Sequence, residues 1–413
     1  MLAARLGRLM AGNPALLLLL GSAVAQAIPI LSSPLLARLY RPDAFGDLSV
    51  FIPALGVAGV VASGRYEMAI AGQRNAVDTD ALLSLVMFLS VMAFLLLLPV
   101  SGWAAGSLGM PGLLWVAPAA VFYAVLQGAI YWFTYRGRFG LLSLIKIAQA
   151  VMVLVGAIML ARSVPETGLV GASVLGYFVA VAVALWMVRE TGFRLASRHA
   201  IRAAAWRNLH WPLYGLLPAM LDSFSMLIPA WLVASEFGSH EAGYFGLSRL
   251  VLAAPVALLA MTSSQVLLKQ VGDHLRSDER MIDSFLRATL VALAAASVMA
   301  ATVGLFGEGL FSWIFGEQWR RAGEYSSILV LAYASILVVS PLSAFLTVLH
   351  EVRLNGLWQG LHLAGVALLL LLDFNHDIQL LQAYVVIEVC LYFFYWVLIY
   401  RAVKRADDAG EHK

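Results

Sequence analysis

Long apolar runs alternate with short polar segments along almost the whole chain. A helix that spans a bilayer needs about 20 predominantly apolar residues, and the runs have this length. In hydrocarbon the backbone N–H and C=O groups must pair within the segment, which favours helices, and the alternating segments of about ten residues typical of membrane barrels are missing. The pattern therefore predicts an all-α integral membrane protein with about twelve transmembrane helices. The runs lie at residues 14–37, 48–71, 81–103, 113–135, 141–161, 168–188, 212–234, 244–268, 288–308, 326–349, 354–373 and 380–400.

The composition agrees with a membrane protein. Hydrophobic residues occupy 62% of the 413 positions, and charged residues only 12%. A soluble domain carries about 25% charged residues, so most of this surface must face something other than water. The net charge of +3 gives no reason to expect nucleic acid as a partner. The single cysteine, Cys390, excludes an internal disulfide and a cysteine-rich metal site, and we expect neither a metal nor a bound cofactor.

The first apolar run has two interpretations. Arg5 and Arg8 precede it, and Ala23-Val24-Ala25 resembles a signal-peptidase site. The run continues to Ala37, however, which is longer than the core of a signal peptide. We therefore favour an uncleaved first span.

The distribution of basic residues predicts the orientation. With both termini inside, the inside segments carry 21 of the 27 Lys and Arg residues and the outside segments carry 5, while Arg249 lies within a span. Cytoplasmic loops of membrane proteins carry such an excess of positive charge. We predict a multi-pass protein with both termini in the cytoplasm.

The chain shows signs of an internal repeat. The longest inside loop, 189–211, separates two sets of six spans. Span 1 ends at Tyr40 with Gly46 six residues later, and span 7 ends at Phe237 with Gly243 six residues later, an offset of 197 in both cases. An even number of spans in each half gives both halves the same topology. We predict six-helix lobes at 1–200 and 201–413, related by a pseudo-two-fold axis along the membrane normal.

Prolines interrupt the first span of each predicted lobe. They are Pro29 and Pro34 in span 1, and Pro212, Pro218 and Pro229 in span 7. Helices broken at corresponding places in two halves mark the binding site of many transporters. The alternative is that proline is simply common in membrane helices.

Several short stretches resemble the polysaccharide flippases (Wzx-type oligosaccharide translocases) of the superfamily that also contains multidrug extruders and lipid II flippases. They extend over roughly residues 30 to 360 in matching order and spacing. The predicted count of twelve spans is closer to that of these flippases than to that of the lipid II flippases, which the resemblance gives fourteen spans. The stretches are 36–46 (LARLYRPDAFG), 64–70 (GRYEMAI), Gln127 with 136–139 (RGRF), 237–238 and 242–244 leading to Arg249 and Pro255, and 314–319 (IFGEQW) with 322–323.

The resemblance implies a function. Such proteins carry an undecaprenyl-pyrophosphate-linked oligosaccharide, the repeat unit of O-antigen or exopolysaccharide, to the outer leaflet of the bacterial inner membrane. It implies alternating access of two lobes around a cationic cavity that suits the pyrophosphate. It also implies membrane lipids, a polysaccharide polymerase and chain-length machinery as partners.

Two charged residues lie deep in predicted spans. An ionised Asp222 near the middle of span 7 would cost roughly 2.5–3.5 kcal/mol in lipid, so it is either a cavity residue that binds a coupling ion or a buried group that links helices. Arg249 in span 8 could bind the pyrophosphate through its planar guanidinium group. Alternatively, its long side chain could extend so that the charge reaches the membrane–water interface.

Five further substrate-binding candidates are less specific. Arg38 and Arg65 lie at opposite faces of the membrane, as head-group contacts or as interface anchors. Arg138 could attract an anionic head group or, together with Lys146, only enforce orientation. Gln127 and Gln265 could bind sugar hydroxyls or link helices.

The remaining candidates concern ion coupling and the interface. Glu67 is a local partner of Arg65 or an ion-coupling group. Glu388 in span 12 is a further ion-coupling candidate, and His362 in span 11 is also deep, but the family-like stretches do not reach them, so both rank below Asp222. The aromatic residues near span ends, Trp313, Trp319 and Tyr325, are predicted to form an interfacial belt.

Two other classes of protein remain as alternatives. The chain has no Walker loop for a nucleotide, so ATP is not the direct energy source. Two sources stay open: coupling to an H⁺ or Na⁺ gradient, and consumption of the substrate on the far side of the membrane. An ion-coupled multidrug or toxin exporter of the same fold is the first alternative. An O-antigen polymerase or ligase is less favoured, because the longest outer loop, 307–325, holds no convincing acid–base pair.

Overall fold

The computed structural model describes the backbone of residues 14–274, 280–349 and 351–410, and the side chains of 18–257, 280–349, 351 and 353–408. Within these ranges the chain is helical and contains no strand. Eleven of the helices are long and apolar enough to cross a membrane, so this is a multi-pass membrane protein. The predicted span 244–268 falls within the helix Ser239–His274, part of which lies outside the residues searched.

The chain divides into two compact units. Unit 1 comprises Met1–Leu227 and Gly238–Gly243, and unit 2 comprises Ile228–Phe237 and Tyr244–Lys413. The prediction of lobes at 1–200 and 201–413 stays a prediction.

Unit 1 contains eight whole α-helices, most of a ninth and the start of a tenth among its described residues. They are α1 (Pro14–Leu39), α2 (Pro42–Ser63), α3 (Glu67–Ile70), α4 (Ala76–Leu108), α5 (Val116–Tyr135), α6 (Phe139–Leu160), α7 (Gly168–Glu190), α8 (Arg198–Arg207), α9 (His210–Phe237) and α10 (Ser239–His274). The second span thus begins and ends earlier than the predicted 48–71. Pro42 opens α2, where its missing N–H leaves no bond unmade, and Gly64 closes it in the left-handed conformation.

Unit 2 contains the end of α9, most of α10 and five further α-helices among its described residues. These are α11 (Met281–Phe315), α12 (Arg320–Val339), α13 (Ser343–Val348), α14 (Val352–Ala367) and α15 (Asp377–Gly410). Asp407 near the end of α15 accepts hydrogen bonds from the backbone N–H groups of Met281 (3.0 Å) and Ile282 (2.8 Å). A carboxylate at a helix N-terminus satisfies free donors and interacts favourably with the helix dipole.

The core of unit 1 surrounds one buried carboxylate. Asp80 accepts a hydrogen bond of 2.8 Å from Nε1 of the fully buried Trp132, and a second of 3.2 Å from the backbone of Arg194. The guanidinium of Arg136 lies 4.7 Å from the Trp132 ring centroid and 3.9 Å from Asp80. This node joins α4, α5 and the segment after α7.

Tyr40, in the first of the family-like stretches, has a structural role. Its hydroxyl donates a 2.6 Å hydrogen bond to the backbone carbonyl of Ala157 in α6. Burial raises the pKa of Tyr40 to about 12, so the hydroxyl keeps its proton. A Cβ at Gly168 would lie 2.5 Å from this hydroxyl, which explains the glycine at the start of α7.

Candidate functional site

Arg249, in the third turn of α10, lies among aromatic and acidic groups of unit 2. Its guanidinium carbon is 5.4 Å from the centroid of the Phe245 ring. It donates a hydrogen bond to the hydroxyl of Tyr333 in α12, and it lies within electrostatic range of Tyr384 and Glu388 in α15. The predicted deep cation is therefore held on the inward side of its helix, against α12 and α15.

Glu388 itself is 2% exposed and paired. Both carboxylate oxygens lie 3.1 Å from Nε2 of His362 in α14. The imidazole ring packs between Trp358 (5.3 Å between centroids) and Tyr392 (5.9 Å). Aromatic walls of this kind hold the imidazole in one orientation against the carboxylate.

These residues form one group that we call the unit 2 polar cluster: Arg249, Tyr333, His362, Tyr384 and Glu388. Sequence analysis selected Arg249 and Glu388 separately, noted His362, and missed both tyrosines. The spacing of four between Tyr384, Glu388 and Tyr392 was the available signal, because residues four apart share one face of a helix.

In unit 1 the most unusual residue is Arg65. Its φ of 62° makes it the one non-glycine residue with positive φ in the described part of the chain. Such a conformation costs of order 1–3 kcal/mol and persists only where the surroundings impose it, often at functional sites. The side chain turns toward Glu67, with Nη1 3.5 Å from Oε1.

The ion pair of Arg65 and Glu67 is incomplete. Within the described residues, Nε of Arg65 and Oε2 of Glu67 are buried without a hydrogen-bond partner. Burial raises the pKa of Glu67, which the hydrogen bond from Ser63 and the charge of Arg65 only partly offset. Buried polar atoms in native proteins are nearly always paired, so this pair has free capacity for a ligand or a proton.

One face of α5 extends this polar region. Tyr123, Gln127 and Tyr131 follow one another at intervals of four, and so lie along one face of the helix. Tyr131 lies within electrostatic range of Arg65 and Glu67. We define the unit 1 polar stripe as Tyr123, Gln127 and Tyr131 of α5 together with Arg65 and Glu67, which lie at its Tyr131 end.

Tyr123 lies at the other end of the stripe, against α2 and α7. A Cβ at Gly59 would lie 2.3 Å from its ring, and the ring contacts Tyr177 edge to face at 5.8 Å. The tyrosines on either side of Gln127 were not among the candidates that the sequence indicated.

The structure does not gather the remaining candidates into these two groups. Arg38 is exposed in the last turn of α1, Arg138 is exposed just before α6, and Asp222 is exposed within α9. Lys146 in α6 is half-buried and donates a 3.0 Å hydrogen bond to Ser22 of α1. Gln265 lies outside the described side chains. The roles of all these residues stay predictions.

The predicted aromatic belt is wrong at two positions. Trp319 and Tyr325 are fully buried, and both pack against Tyr244, at 5.9 and 6.2 Å. Tyr325 also donates a hydrogen bond to Asp377, which binds Arg321 at 2.7 Å. Tyr325 thus joins the starts of α12 and α15, and Trp319 packs against α10, whereas Trp313 is 78% exposed, as an interfacial residue would be.

Comparison with known proteins identifies the family. A family model described as polysaccharide biosynthesis protein matches residues 35–324. The chain belongs to this family. The match includes Arg249 and the unit 1 polar stripe. It ends before His362, Tyr384 and Glu388 of the unit 2 polar cluster. No curated protein matches the chain at the level of sequence.

Solved structures show the fold. A multidrug resistance MATE family transporter of the MOP superfamily, inward-facing, matches with TM-score 0.70 and 13% identity, over 94% of this chain and 99% of its own. The lipid II flippase MurJ, inward closed, matches with TM-score 0.73 and 11% identity, over 93% and 87%. A eukaryotic MATE transporter matches with TM-score 0.60 and 12% identity, over 98% and 99%.

The fold is thus the two-lobed, all-α fold of MOP superfamily transporters and flippases rather than that of an enzyme, as the sequence predicted. Family and fold together support a transporter or flippase. The relationship to the polysaccharide flippases, first indicated by short stretches, is confirmed.

Proposed function

We propose that this protein flips an undecaprenyl-pyrophosphate-linked oligosaccharide, an O-antigen or exopolysaccharide repeat unit, from the cytoplasmic to the outer leaflet of a bacterial inner membrane by alternating access. The observation that carries the proposal is the match to the polysaccharide biosynthesis family in a chain with a transporter-type fold. Both termini are cytoplasmic in this proposal, as the excess of inside arginines predicts.

Arg249 supplies the anion-binding chemistry. A guanidinium presents a planar fork of N–H donors that fits phosphate oxygens, and it keeps its charge at all physiological pH values. In the described structure this charge lies near Glu388 and is hydrogen-bonded to Tyr333. A pyrophosphate that reaches Arg249 competes with these protein groups for the same donors.

This competition supplies a means of coupling. When the pyrophosphate takes over Arg249, Glu388 loses part of its neutralising charge while still buried beside His362. A buried carboxylate without a compensating charge is costly, and a bound coupling ion offsets that cost. The unit 2 polar cluster would thus link substrate binding to an H⁺ or Na⁺ gradient.

The unit 1 polar stripe suits the glycan. Sugars present hydroxyl groups and apolar ring faces, and the stripe offers the amide of Gln127 and the hydroxyls and rings of Tyr123 and Tyr131. Arg38 and Arg138 act as head-group contacts at the two membrane faces, and Asp222 and Glu67 as ion-coupling carboxylates. A polysaccharide polymerase and chain-length machinery receive the product in this account.

An ion-coupled multidrug exporter is the second candidate, favoured by the fold shared with MATE transporters. The two functions predict different ligands. An extruder binds small organic cations, for which a carboxylate is the natural partner. A flippase binds the lipid-linked glycan, for whose pyrophosphate an arginine is the natural partner.

The test is where lipid-linked repeat units accumulate when the gene is deleted in its native host. The proposal predicts accumulation on the cytoplasmic face, restored by the wild-type gene. Accumulation on the outer face would indicate a polymerase or ligase. Normal polysaccharide with increased sensitivity to organic cations would indicate the extruder.

A further inference from the structure

The segment that connects α7 to α9 carries an unusual density of one residue type. Between positions 189 and 207 it contains five arginines, no lysine and a single acidic residue, Glu190. It includes the ten-residue helix α8, whose start is capped by Ser197. Both ends of the segment are tied to membrane-spanning helices.

The helix α8 has two distinct faces. Ala204 is fully buried in the core of unit 1, with Ala200 and Ile201 packed beside it. Arg198, Arg202 and Trp206 follow one another at intervals of four on the opposite face, and all three are exposed. Trp206 is 66% exposed, and Leu195 just before the helix is 75% exposed.

Arg207, unlike the arginines of the outward face, forms an ion pair within the protein. It points toward α4 and binds Asp78 at 2.5 Å. Arg198 and Arg202 form no ion pair with any carboxylate among the described residues. The outward stripe therefore combines free positive charge with exposed apolar surface.

Contacts with α4 fix the depth of this segment relative to the membrane. The backbone N–H groups of Arg194 and Ala196 donate to Asp80 (3.2 Å) and to Ser84 Oγ (3.1 Å) in the first turns of α4. Exposed apolar side chains run along α4 from Phe88 onward, about 6 Å further at 1.5 Å per residue. The segment thus lies at the edge of the hydrocarbon layer, at the level of lipid head groups.

We propose that the outward stripe of α8 (Arg198, Arg202 and Trp206, with Leu195) is a docking surface for the anionic phospholipids of the bilayer that this protein spans. Arginine forks bind lipid phosphates, and tryptophan prefers the interface between water and hydrocarbon. A surface facing only water would gain nothing from an exposed tryptophan and leucine between arginines. Docking would fix the segment between α7 and α9 to the membrane surface.

The experiment places a nitroxide label on this face of the full-length protein. His199→Cys, exposed beside Arg198, carries the label in a Cys390→Ala background. Accessibility to oxygen and to a water-soluble nickel chelate is measured in bilayers of phosphatidylcholine alone and in bilayers with increasing phosphatidylglycerol. A label at Asn375→Cys, in an exposed loop without an arginine stripe, is the control.

The expected result is a label that moves from water toward the head groups as phosphatidylglycerol is added, while the control label does not respond. Arg198→Gln with Arg202→Gln should weaken this response about 25-fold, since each arginine near an anionic surface contributes about fivefold. Arg198→Lys with Arg202→Lys should retain most of it. A label equally accessible to the chelate in all lipids, or a response unchanged by the Gln pair, overturns the proposal.

Discussion

Both carboxylate oxygens of Glu388 lie 3.1 Å from Nε2 of His362, and the pair is enclosed by aromatic rings within unit 2. Removing one partner of a buried pair destabilises a protein more than replacing both partners with apolar residues does. The partner that remains keeps polar atoms that are buried without a hydrogen bond. The pair lies beside Arg249, so its integrity matters for the cation as well.

We predict that His362→Ala destabilises the protein by about 1–3 kcal/mol, the cost of a buried polar group left unpaired. Thermal unfolding of the purified protein measures it, with Cys390→Ala, an exposed site on α15 two residues after Glu388, as the control. His362→Ala combined with Glu388→Gln should be less destabilised than the sum of the two single variants. Simple additivity would show that the two side chains do not stabilise each other.

Asp222→Asn tests the predicted ion-coupling role of a carboxylate within α9. Asparagine keeps the shape of the side chain but cannot release a proton, so export should lose the pH dependence that the wild-type protein shows. Glu236→Gln, exposed at the end of the same helix, is the control and should leave the profile unchanged. An unchanged profile in Asp222→Asn would exclude the coupling role.

Glu67 gives a prediction about pH and stability. Burial raises its pKa above the ordinary value of 4.5. As pH rises above 4.5 the unfolded chain releases this proton first, so the contribution of Glu67 to stability falls through the window between the unfolded and folded pKa values. Below that window both states are protonated and the contribution is constant.

Glu67→Gln should therefore gain stability relative to the wild-type protein as pH rises through this window, and match it most closely at the acidic end. Thermal unfolding in detergent across pH measures the difference. Glu190→Gln, an exposed carboxylate at the end of α7, should show no such trend. A difference between Glu67→Gln and wild type that shrinks with rising pH would contradict the sign.

Gly46 and Gly243 test a close approach between two helix starts. A Cβ at Gly46 would lie 1.9 Å from the carbonyl oxygen of Ser239, and one at Gly243 would lie 1.9 Å from that of Pro42. Backbone atoms cannot move aside as a side chain can, so Gly46→Ala should destabilise by about 1–3 kcal/mol. Gly106→Ala, with nothing within 4 Å of the new Cβ, should be neutral or stabilising. Equal stability of the two variants would mean that α2 and α10 do not meet this closely.

These glycines also show what the sequence alone could predict. The offset of 197 between Gly46 and Gly243 indicated an internal repeat, and Pro42 and Ser239 have the same offset. The structure brings these four residues together in two reciprocal contacts within unit 1, while the repeat itself stays a prediction. Hydropathy predicted the spans because the solvent around each helix dictates its length and composition, although α2 begins and ends earlier than predicted.

The candidate site was less predictable. Arg249 and Glu388 were each selected for their depth, yet they come from different helices, and hydropathy carries no information about which helices pack together. The left-handed conformation of Arg65 had no signal beyond the preceding Gly64, because non-glycine residues rarely adopt it. Trp319 was misassigned because an aromatic residue near a span end suits both an interface and a buried joint.

The most direct test of the central claim is flipping by the purified protein in proteoliposomes loaded with an undecaprenyl-pyrophosphate-linked oligosaccharide on one leaflet. The account predicts that the wild-type protein moves this lipid to the opposite leaflet, that Arg249→Ala lowers the rate at least tenfold, and that Arg320→Ala, an exposed arginine paired with Glu317, does not. Arg249→Ala protein that inserts normally and still flips the glycolipid at the wild-type rate would contradict the assigned site. A wild-type protein that leaves the glycolipid in place while transporting organic cations would contradict the function.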